Sequence, residues 1–302
     1  MIQFGTGGWR AIIGEEFTKE NIQKLALALC RKMKAEGVAD EGIVAGYDRR
    51  FLSKEAVIWA CEIFTKEGIR VRFINRSSPT PLIMYYVMKE RLHYGFMVTA
   101  SHNPAIYNGI KVFTYGGRDA DETQTRELER WMELVEPEYH CDDTEKGKMP
   151  TTFYQKSVEQ GMVQAIHPLN DYLDNIIQMI DMAAIRRRDL RVAVDPMYGV
   201  GLTPLNTILS MARCTIETIN AQHDALFGGK MPAPTAQTLR GLQNYVLDRY
   251  CDIGIATDGD ADRLGVVDDK GRYLHPNEIL VALYYYLLKY KGWRGDAVRN
   301  IS

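Results

Sequence analysis

Amphipathic helical patterns alternate with short apolar segments along the first half of this chain, and the alternation limits the folds it can adopt. The helical segments carry apolar residues at intervals of three and four, behind capping residues. The apolar segments are rich in β-branched and aromatic residues, which favour strands. The predicted helices begin at Thr18, Ser53 and Thr80, and the predicted strands are residues 43–45, 69–74 and 94–99. We expect an α/β domain with helices on both faces of a mixed, mostly parallel sheet.

The second half of the chain repeats this alternation. The predicted helices are residues 169–180, 204–211 and 235–249, and the predicted strands are residues 190–194, 214–219 and 252–256. Two further strands, 264–267 and 272–274, flank an Asp-Asp-Lys-Gly segment that is typical of a tight hairpin turn. A second α/β domain is therefore predicted.

The length of the chain indicates two domains. Its 302 residues, 46% of them hydrophobic, exceed what one ordinary core needs. Periodicity fails between residues 136 and 164, where proline, glycine and aspartate cluster, and this predicts a linker. We predict domains at 1–150 and 151–275. Residues 276–302, with a helix at 277–290 and the start of a strand at 296–301, would open a third domain that is cut short.

Overall charge excludes some classes of partner. Lys and Arg together number 37 against 39 Asp and Glu, so neither nucleic acid nor a membrane surface is expected, and a small polar substrate fits better. The five cysteines form no CxxC pair, and the chain has neither a secretion signal nor a long uncharged apolar segment. The expected location is the cytosol, and the oligomeric state is not predicted.

Thr-Ala-Ser-His-Asn-Pro at 99–104 follows a predicted strand directly, which is where open α/β sheets place their ligands. Ser101 is a candidate nucleophile, and His102 or Lys111 could supply a base or a charged environment for a phosphoryl group. The alternative is an ordinary loop, because Ser and Asn before Pro are common in turns. A serine hydrolase is disfavoured, because the chain has no G-x-S-x-G motif.

Three aspartates at alternate positions, Asp258, Asp260 and Asp262, lie between two predicted strands. Crowded carboxylates repel one another unless a cation joins them, and hard oxygen ligands on a short loop suit Mg²⁺. A Ca²⁺ loop of the EF-hand type is contradicted by Arg263 and Asp269, which replace its glycine and glutamate. A solvated acidic turn also remains open. Arg263 could bind an anionic ligand or form a salt bridge.

Gly-Thr-Gly-Gly-Trp-Arg at 5–10 could bind an anion. Glycines let backbone N–H groups approach a negative charge, and Arg10 adds a positive one. The segment lacks the third glycine and the preceding strand of a dinucleotide fingerprint. A plain glycine turn is an equal alternative.

Taken together, these three motifs resemble the α-D-phosphohexomutase family in order and spacing. The resemblance also includes Asn-Gly-Ile-Lys at 108–111 and the segments 46–49, 79–81 and 227–232, and it covers nearly the whole chain. Family members have four domains in one chain. The resemblance implies that this chain corresponds to the first two and the opening helix of the third.

The resemblance also implies roles for individual residues. Ser101 would carry the phosphoryl group, and its phosphate oxygen would share Mg²⁺ with Asp258, Asp260 and Asp262. Lys111 would be the general acid/base, behind a turn shaped by Asn108 and Gly109. The residues expected to surround the phosphoserine and stabilise its charge are Arg10, His102, Asn103 and Arg263.

The implied reaction interconverts hexose 1-phosphate and hexose 6-phosphate through a hexose 1,6-bisphosphate. Tyr107, Asn108 and Gly109, with no Thr-Asp-Gly-Ile-Arg start, favour glucose or mannose over hexosamine. The sugar-selecting loop and the distal phosphate clamp of the family have no counterpart before Ser302, so little turnover is expected of this chain alone. A non-catalytic sugar-phosphate-binding module is the alternative.

Overall fold

The computed structural model describes residues 4–5, 8–135 and 151–298. These residues form two mixed sheets with helices packed on them, which confirms the α/β class. The first sheet contains β1 (Phe4–Gly5), β2 (Gly8–Ile12), β3 (Ile43–Tyr47), β4 (Val71–Ile74), β5 (Tyr94–Val98), β6 (Tyr107–Thr114), β7 (Arg118–Asp119) and β8 (Val163–Ile166).

The first sheet is parallel in one half and antiparallel in the other. Its order is β1-β2-β6-β5-β3-β4-β8, with β7 paired to β6. The neighbours β5, β3 and β4 pair in parallel, as the helix and strand alternation predicts, and β8, which was not predicted, pairs in parallel with β4. The strands β1, β2, β6 and β7 pair antiparallel. The antiparallel share is larger than predicted, because these four strands were not anticipated.

Helices cover both faces of the first sheet. On one face α1, α2 and α4 enclose the larger core, and on the other α3 and α6 enclose a smaller one. These helices, with α5 of the same domain, are α1 (Lys19–Ala35), α2 (Ser53–Lys66), α3 (Thr80–Lys89), α4 (Glu122–Leu134), α5 (Thr151–Glu159) and α6 (Leu169–Met179). The α1 helix follows its sequence pattern: the Thr18 hydroxyl accepts a hydrogen bond from the Asn21 amide, and Leu25 and Leu29 are fully buried.

Two of the sequence motifs lie on strands and not in turns. Arg10 lies on β2, and Asn108 and Lys111 lie on the buried strand β6, which pairs with β2. Gly109 allows this pairing, because a Cβ at that position would lie 2.1 Å from the carbonyl oxygen of Trp9. The predicted turn before Lys111 is therefore wrong. Gly109 is explained by close backbone packing, and the Asn108 side chain donates hydrogen bonds to the Phe51 carbonyl and the Ser53 hydroxyl.

The second sheet is smaller, with the order β10-β9-β11-β12-β13. Its first three strands are parallel, and the last three form antiparallel pairs, including the predicted hairpin. Helix α9 packs Leu242 and Val246 into its core. These elements and the flanking helices are α7 (Met182–Arg186), β9 (Arg191–Asp195), α8 (Leu202–Met211), β10 (Thr215–Thr218), α9 (Arg240–Asp248), β11 (Ile253–Thr257), β12 (Leu264–Asp268) and β13 (Tyr273–Leu274).

The predicted linker at 136–164 contains regular structure in its second part. Residues 136–150 lie outside the described residues, but α5 and β8 follow them. Strand β8 pairs in parallel with β4, so the first sheet extends to Ile166, beyond the predicted boundary at 150. A short edge strand lacks a clear periodic signal, so the sequence did not indicate β8. We propose that the domain boundary follows Ile166.

Helix α10 (Pro276–Lys289) follows the second sheet, as predicted. Its apolar side chains are largely exposed, with Val281 69% and Tyr285 51% accessible.

No strand occurs at 296–298, and residues 299–302 lie outside the described part, so the predicted last strand has no support there. None of the helices in the described segments is long and apolar enough to cross a membrane. Of the cysteines, Cys30, Cys61 and Cys251 are buried free thiols.

The place of β8 in the first sheet can be tested by mutation. Val163 is 1% exposed and belongs to the core of that sheet, so Val163→Ala should lower the free energy of unfolding by about 2 kcal/mol. The neighbouring Gln164 is exposed, and Gln164→Ala should change it by less than about 0.5 kcal/mol. Urea titration followed by circular dichroism measures both. Equal effects would contradict the packing of β8 on the sheet.

Candidate functional site

The candidate site lies where the carboxyl ends of parallel strands from both sheets meet. Ser101 follows β5 in the first sheet, and Asp258 follows β11 in the second. The Ser101 hydroxyl donates a hydrogen bond of 2.8 Å to Asp258 Oδ2. Gly259 permits this approach, because a Cβ there would lie 2.7 Å from the carbonyl oxygen of Ser101. The two predicted loops therefore form one site.

Ser101 is held in an unusual backbone conformation. Its φ of +52° lies in the left-handed region, and the residue is 1% exposed. Its amide donates to the Thr99 hydroxyl at 2.8 Å. His102 Nδ1 lies 3.3 Å from Ser101 Oγ, close enough for a hydrogen bond. Burial, together with the positive charges of Arg263 and Arg10, lowers the pKa of His102 to about 4, so its imidazole is neutral at pH 7.

The three predicted aspartates converge. Asp258, Asp260 and Asp262 each offer a carboxylate oxygen, and these oxygens lie within 4.8 Å of one another. Burial, followed by repulsion from the other two carboxylates, raises the pKa of Asp258 to about 8. The Oδ1 atom of Asp260 is buried and has no hydrogen-bond partner among the described residues. A cluster of hard oxygens with one buried and unpartnered fits a metal ion.

The first domain supplies the partners of Asp260. Its Oδ2 accepts hydrogen bonds from the Thr80 hydroxyl at 2.7 Å and from Lys111 Nζ at 2.9 Å. Burial opposes ionisation of Asp260, but these contacts hold its pKa below the ordinary value. Lys111 also donates to Asp262 at 2.5 Å. Burial alone would lower the pKa of Lys111, but the two carboxylates raise it, so the ammonium is charged.

Two further arginines lie beside the serine loop. Arg10 Nη1 donates to Asn103 Oδ1 at 2.7 Å. Arg263 Nε lies 4.0 Å from Asp262 Oδ1, at the limit of an ion pair. Burial lowers the pKa of Arg10, and the nearby charge of Arg263 lowers it further. Both effects disfavour its positive charge, and an anion bound between the two guanidinium groups would offset them.

The structure brings together every site residue that the sequence predicted, although it does not test their roles. It also adds residues that were not assigned to the site: Asp48, Arg50, Thr80 and Phe227. Asp48, Thr80 and Phe227 belong to the segments 46–49, 79–81 and 227–232. These segments resemble the family, but the sequence did not predict a role for them. Thr80 was predicted to cap α3, but its hydroxyl donates to Asp260 instead.

Sequence and structure comparisons agree on the family. The family model for phosphoglucomutase/phosphomannomutase α/β/α domain I matches residues 1–137, and the model for domain II matches residues 170–271. A protein of Thermococcus kodakarensis named phosphoglucomutase/phosphomannomutase is 30% identical over 292 residues, which are 96% of this chain and 60% of the relative. A phosphoglucosamine/phosphogalactosamine mutase of Sulfurisphaera tokodaii is 29% identical over 271 residues, 89% of this chain and 55% of the relative.

A solved structure supports the same assignment. A protein of Thermus thermophilus that carries the name phosphomannomutase superposes with a TM-score of 0.81 at 26% identity, covering 97% of this chain and 63% of its own. This chain thus spans about 60% of the length of the Thermococcus relative. Fold and site together define a two-sheet α/β protein whose serine loop and acidic loop meet between the sheets. The chain belongs to the α-D-phosphohexomutase family.

Thr80 provides a test of the acidic cluster. Thr80→Val removes the hydroxyl that orients Asp260, and we expect about 10-fold weaker binding of a divalent cation. Thr80→Ser keeps the hydroxyl and should bind the cation nearly as well as the unaltered protein. Isothermal titration with Mn²⁺ measures the affinities. Equal affinities of the Val and Ser variants would show that the Thr80 hydroxyl does not orient a metal ligand.

Proposed function

We propose that this chain is the part of a phosphohexomutase that carries the transferable phosphoryl group on Ser101 and binds Mg²⁺ through Asp258, Asp260 and Asp262. One observation supports this most directly: Ser101 Oγ hydrogen-bonds to Asp258 inside a cluster of three carboxylates. A serine hydroxyl and carboxylates that share a site suit a phosphoserine that shares a cation with the aspartates.

The type of ligand atom supports Mg²⁺ as the proposed metal. Oxygen ligands alone, on a short loop, suit Mg²⁺ better than metals that prefer nitrogen or sulfur. Asp258, Asp260 and Asp262 would hold the ion together with an oxygen of phosphorylated Ser101. The bound ion would neutralise phosphoryl charge during transfer.

The transfer is an exchange of one P–O bond for another. The bond from phosphorus to Ser101 Oγ breaks as a sugar hydroxyl oxygen bonds to phosphorus. The Lys111 ammonium would give a proton to Ser101 Oγ, and the amine left behind would take the proton that the sugar hydroxyl releases. Lys111 is the proposed acid/base, because its charged ammonium is buried among the carboxylates of the same site. The reverse step then returns the other phosphoryl group of the hexose 1,6-bisphosphate to Ser101.

Cationic and polar groups around Ser101 would stabilise the transferring group. Arg10 and Arg263 carry the positive charge, and His102 and Asn103 lie beside the serine on its loop. Phosphoryl transfer requires little covalent chemistry from the protein, so positioning and charge should account for most of the acceleration.

The proposed substrates are hexose 1-phosphate and hexose 6-phosphate, with glucose or mannose as the sugar. The Thermococcus relative is named for glucose and mannose, whereas the Sulfurisphaera relative is named for glucosamine and galactosamine. Hexosamine phosphate is therefore the competing substrate. Loading of the protein from each of the corresponding 1,6-bisphosphates compares them directly.

Phosphorylation of Ser101 is the first prediction of this proposal. Incubation with glucose 1,6-bisphosphate and Mg²⁺ should add one phosphoryl group to the protein, detected by intact mass and located at Ser101 by peptide mapping. Ser101→Ala should abolish the addition, because the acceptor oxygen is lost. Ser210, exposed on α8, offers a matched control, and Ser210→Ala should load normally.

A mass increase that persists in Ser101→Ala would contradict the proposal. Binding of the bisphosphate without any mass increase in the unaltered protein would instead support the non-catalytic sugar-phosphate-binding module.

Dependence on the metal is the second prediction. Mg²⁺ should raise the Tm of the unaltered protein, because a ligand that binds the folded state stabilises it. Asp260→Asn should abolish most of this shift and slow the loading of Ser101, since it removes one anionic ligand. Asp269→Asn, in the exposed turn between β12 and β13, is the control and should keep the shift. Equal shifts in both variants would exclude Asp260 as a ligand.

A further inference from the structure

The turn after β3 contains two buried charged residues that the proposed chemistry does not use. We propose that Arg50, anchored by Asp48, is a positioning residue that holds the loop 101–107 in the conformation that aims Ser101 at Asp258. The inference rests on the proposed function of Ser101. It explains why the segment beginning at residue 46 accompanies the serine and aspartate motifs.

Arg50 binds the serine loop through its backbone. Its side chain is completely buried, and its two terminal nitrogens donate to four carbonyl oxygens of one loop. Nη2 donates to Ser101 at 2.8 Å and Asn103 at 2.6 Å, and Nη1 donates to Pro104 at 2.9 Å and Tyr107 at 3.0 Å. One planar group thus ties both ends of the loop together.

Asp48 links the backbone of Arg50 to the amide of Ser101. Its Oδ1 accepts hydrogen bonds from the Arg50 amide at 2.9 Å and from the Ser53 hydroxyl at 2.8 Å. Its Oδ2 accepts from the Thr99 hydroxyl at 2.7 Å, and that hydroxyl in turn accepts from the Ser101 amide at 2.8 Å. A continuous chain of hydrogen bonds therefore runs from the turn after β3 to the proposed nucleophile.

The backbone of Ser101 needs such support. A residue with a Cβ is unfavourable at a φ of +52°, so the loop would relax toward other conformations without external contacts. The carbonyl of Ser101 is one of the four that Arg50 binds, and it also faces Gly259 of the acidic loop. A shift of this peptide would move the serine hydroxyl relative to Asp258.

None of the four terminal N–H groups of Arg50 is left for a phosphoryl group. Of its five N–H groups, four bond to carbonyls. The remaining Nε makes no hydrogen bond and lies 3.4 Å from Asp48 Oδ2. The ring of Phe227 covers the guanidinium, with its centroid 4.8 Å from Cζ. Arg50 therefore differs from Arg10 and Arg263, which border the space beside the serine.

Arg50→Lys tests the proposal, because one ammonium cannot bond four carbonyls in the geometry of a guanidinium. The control is Arg72→Lys: Arg72 on β4 also donates to a backbone carbonyl, but to one outside the serine loop, that of Glu41 at 2.7 Å. Both variants are compared with the unaltered chain. The readouts are hydrogen exchange of residues 101–107 and the rate of phosphoryl loading from glucose 1,6-bisphosphate at several concentrations.

In Arg50→Lys the amides of the loop should exchange about 10-fold faster, and the maximal loading rate should fall about 100-fold. The half-saturating bisphosphate concentration and the affinity for Mg²⁺ should stay within about threefold of the control. If hydrogen exchange of the loop is unchanged and the half-saturating concentration of the bisphosphate rises, the proposal is overturned, and Arg50 is a phosphate ligand instead. Absence of loading in the unaltered protein would overturn the proposed function, while the exchange rates would still decide whether Arg50 holds the loop.

A second pair of variants covers failure of Arg50→Lys to fold. Thr99→Val removes the hydroxyl between Asp48 and the Ser101 amide, and it should raise exchange of the loop and lower the maximal loading rate in the same direction by a smaller factor. Thr99→Ser, which restores the hydroxyl, should bring both quantities back toward the unaltered protein. If both Thr99 variants behave like the unaltered chain, the hydrogen-bond chain from Asp48 does not position Ser101.

Discussion

The rest of the site depends on two buried carboxylates where the sheets meet, those of Asp258 and Asp260, because both need hydrogen-bond donors. Both residues are inaccessible to solvent, and a carboxylate ionises in such a place only when cations or hydrogen-bond donors stabilise it. Their own loop contributes only backbone amides to Asp258. The side-chain donors Ser101, Lys111 and Thr80 come from the first domain. Stabilisation of these carboxylates therefore depends on contacts between the two domains.

The three arginines near Ser101 carry the same charge, but their different contacts give them different proposed roles. The terminal nitrogens of Arg50 are all bonded to backbone carbonyls, its Nε faces the carboxylate of Asp48, and the ring of Phe227 covers the guanidinium, so Arg50 shapes the loop. Arg10 donates one terminal nitrogen to the Asn103 side chain, and the side chain of Arg263 is half exposed. Those two remain available to an anion. Four hydrogen bonds from one rigid group also account for a left-handed serine in a closely packed loop.

The spacing of apolar residues predicted the helices and strands in which it is regular, and it missed those in which it is not. Helices α1 and α2 and the strands β3, β4 and β5 were predictable from apolar spacing and β-branched residues. Strand β6 was missed because Asn108 and Gly109 are typical of turns. In the structure Asn108 instead donates to the Ser53 hydroxyl, and Gly109 admits the backbone of Trp9. Strand β8 is too short to show a period, although it extends the first sheet.

The sequence by itself determined the α/β alternation, the candidate serine and the three clustered aspartates, because each of these is a pattern among near neighbours in the chain. Only the tertiary structure decided which residues support them. Thr80 lies 180 positions from Asp260, and Arg50 lies 51 positions from Ser101. Contacts at such separations follow from strand order and the docking of the two sheets. Local periodicity does not encode them, since it reports only which face of an element is apolar.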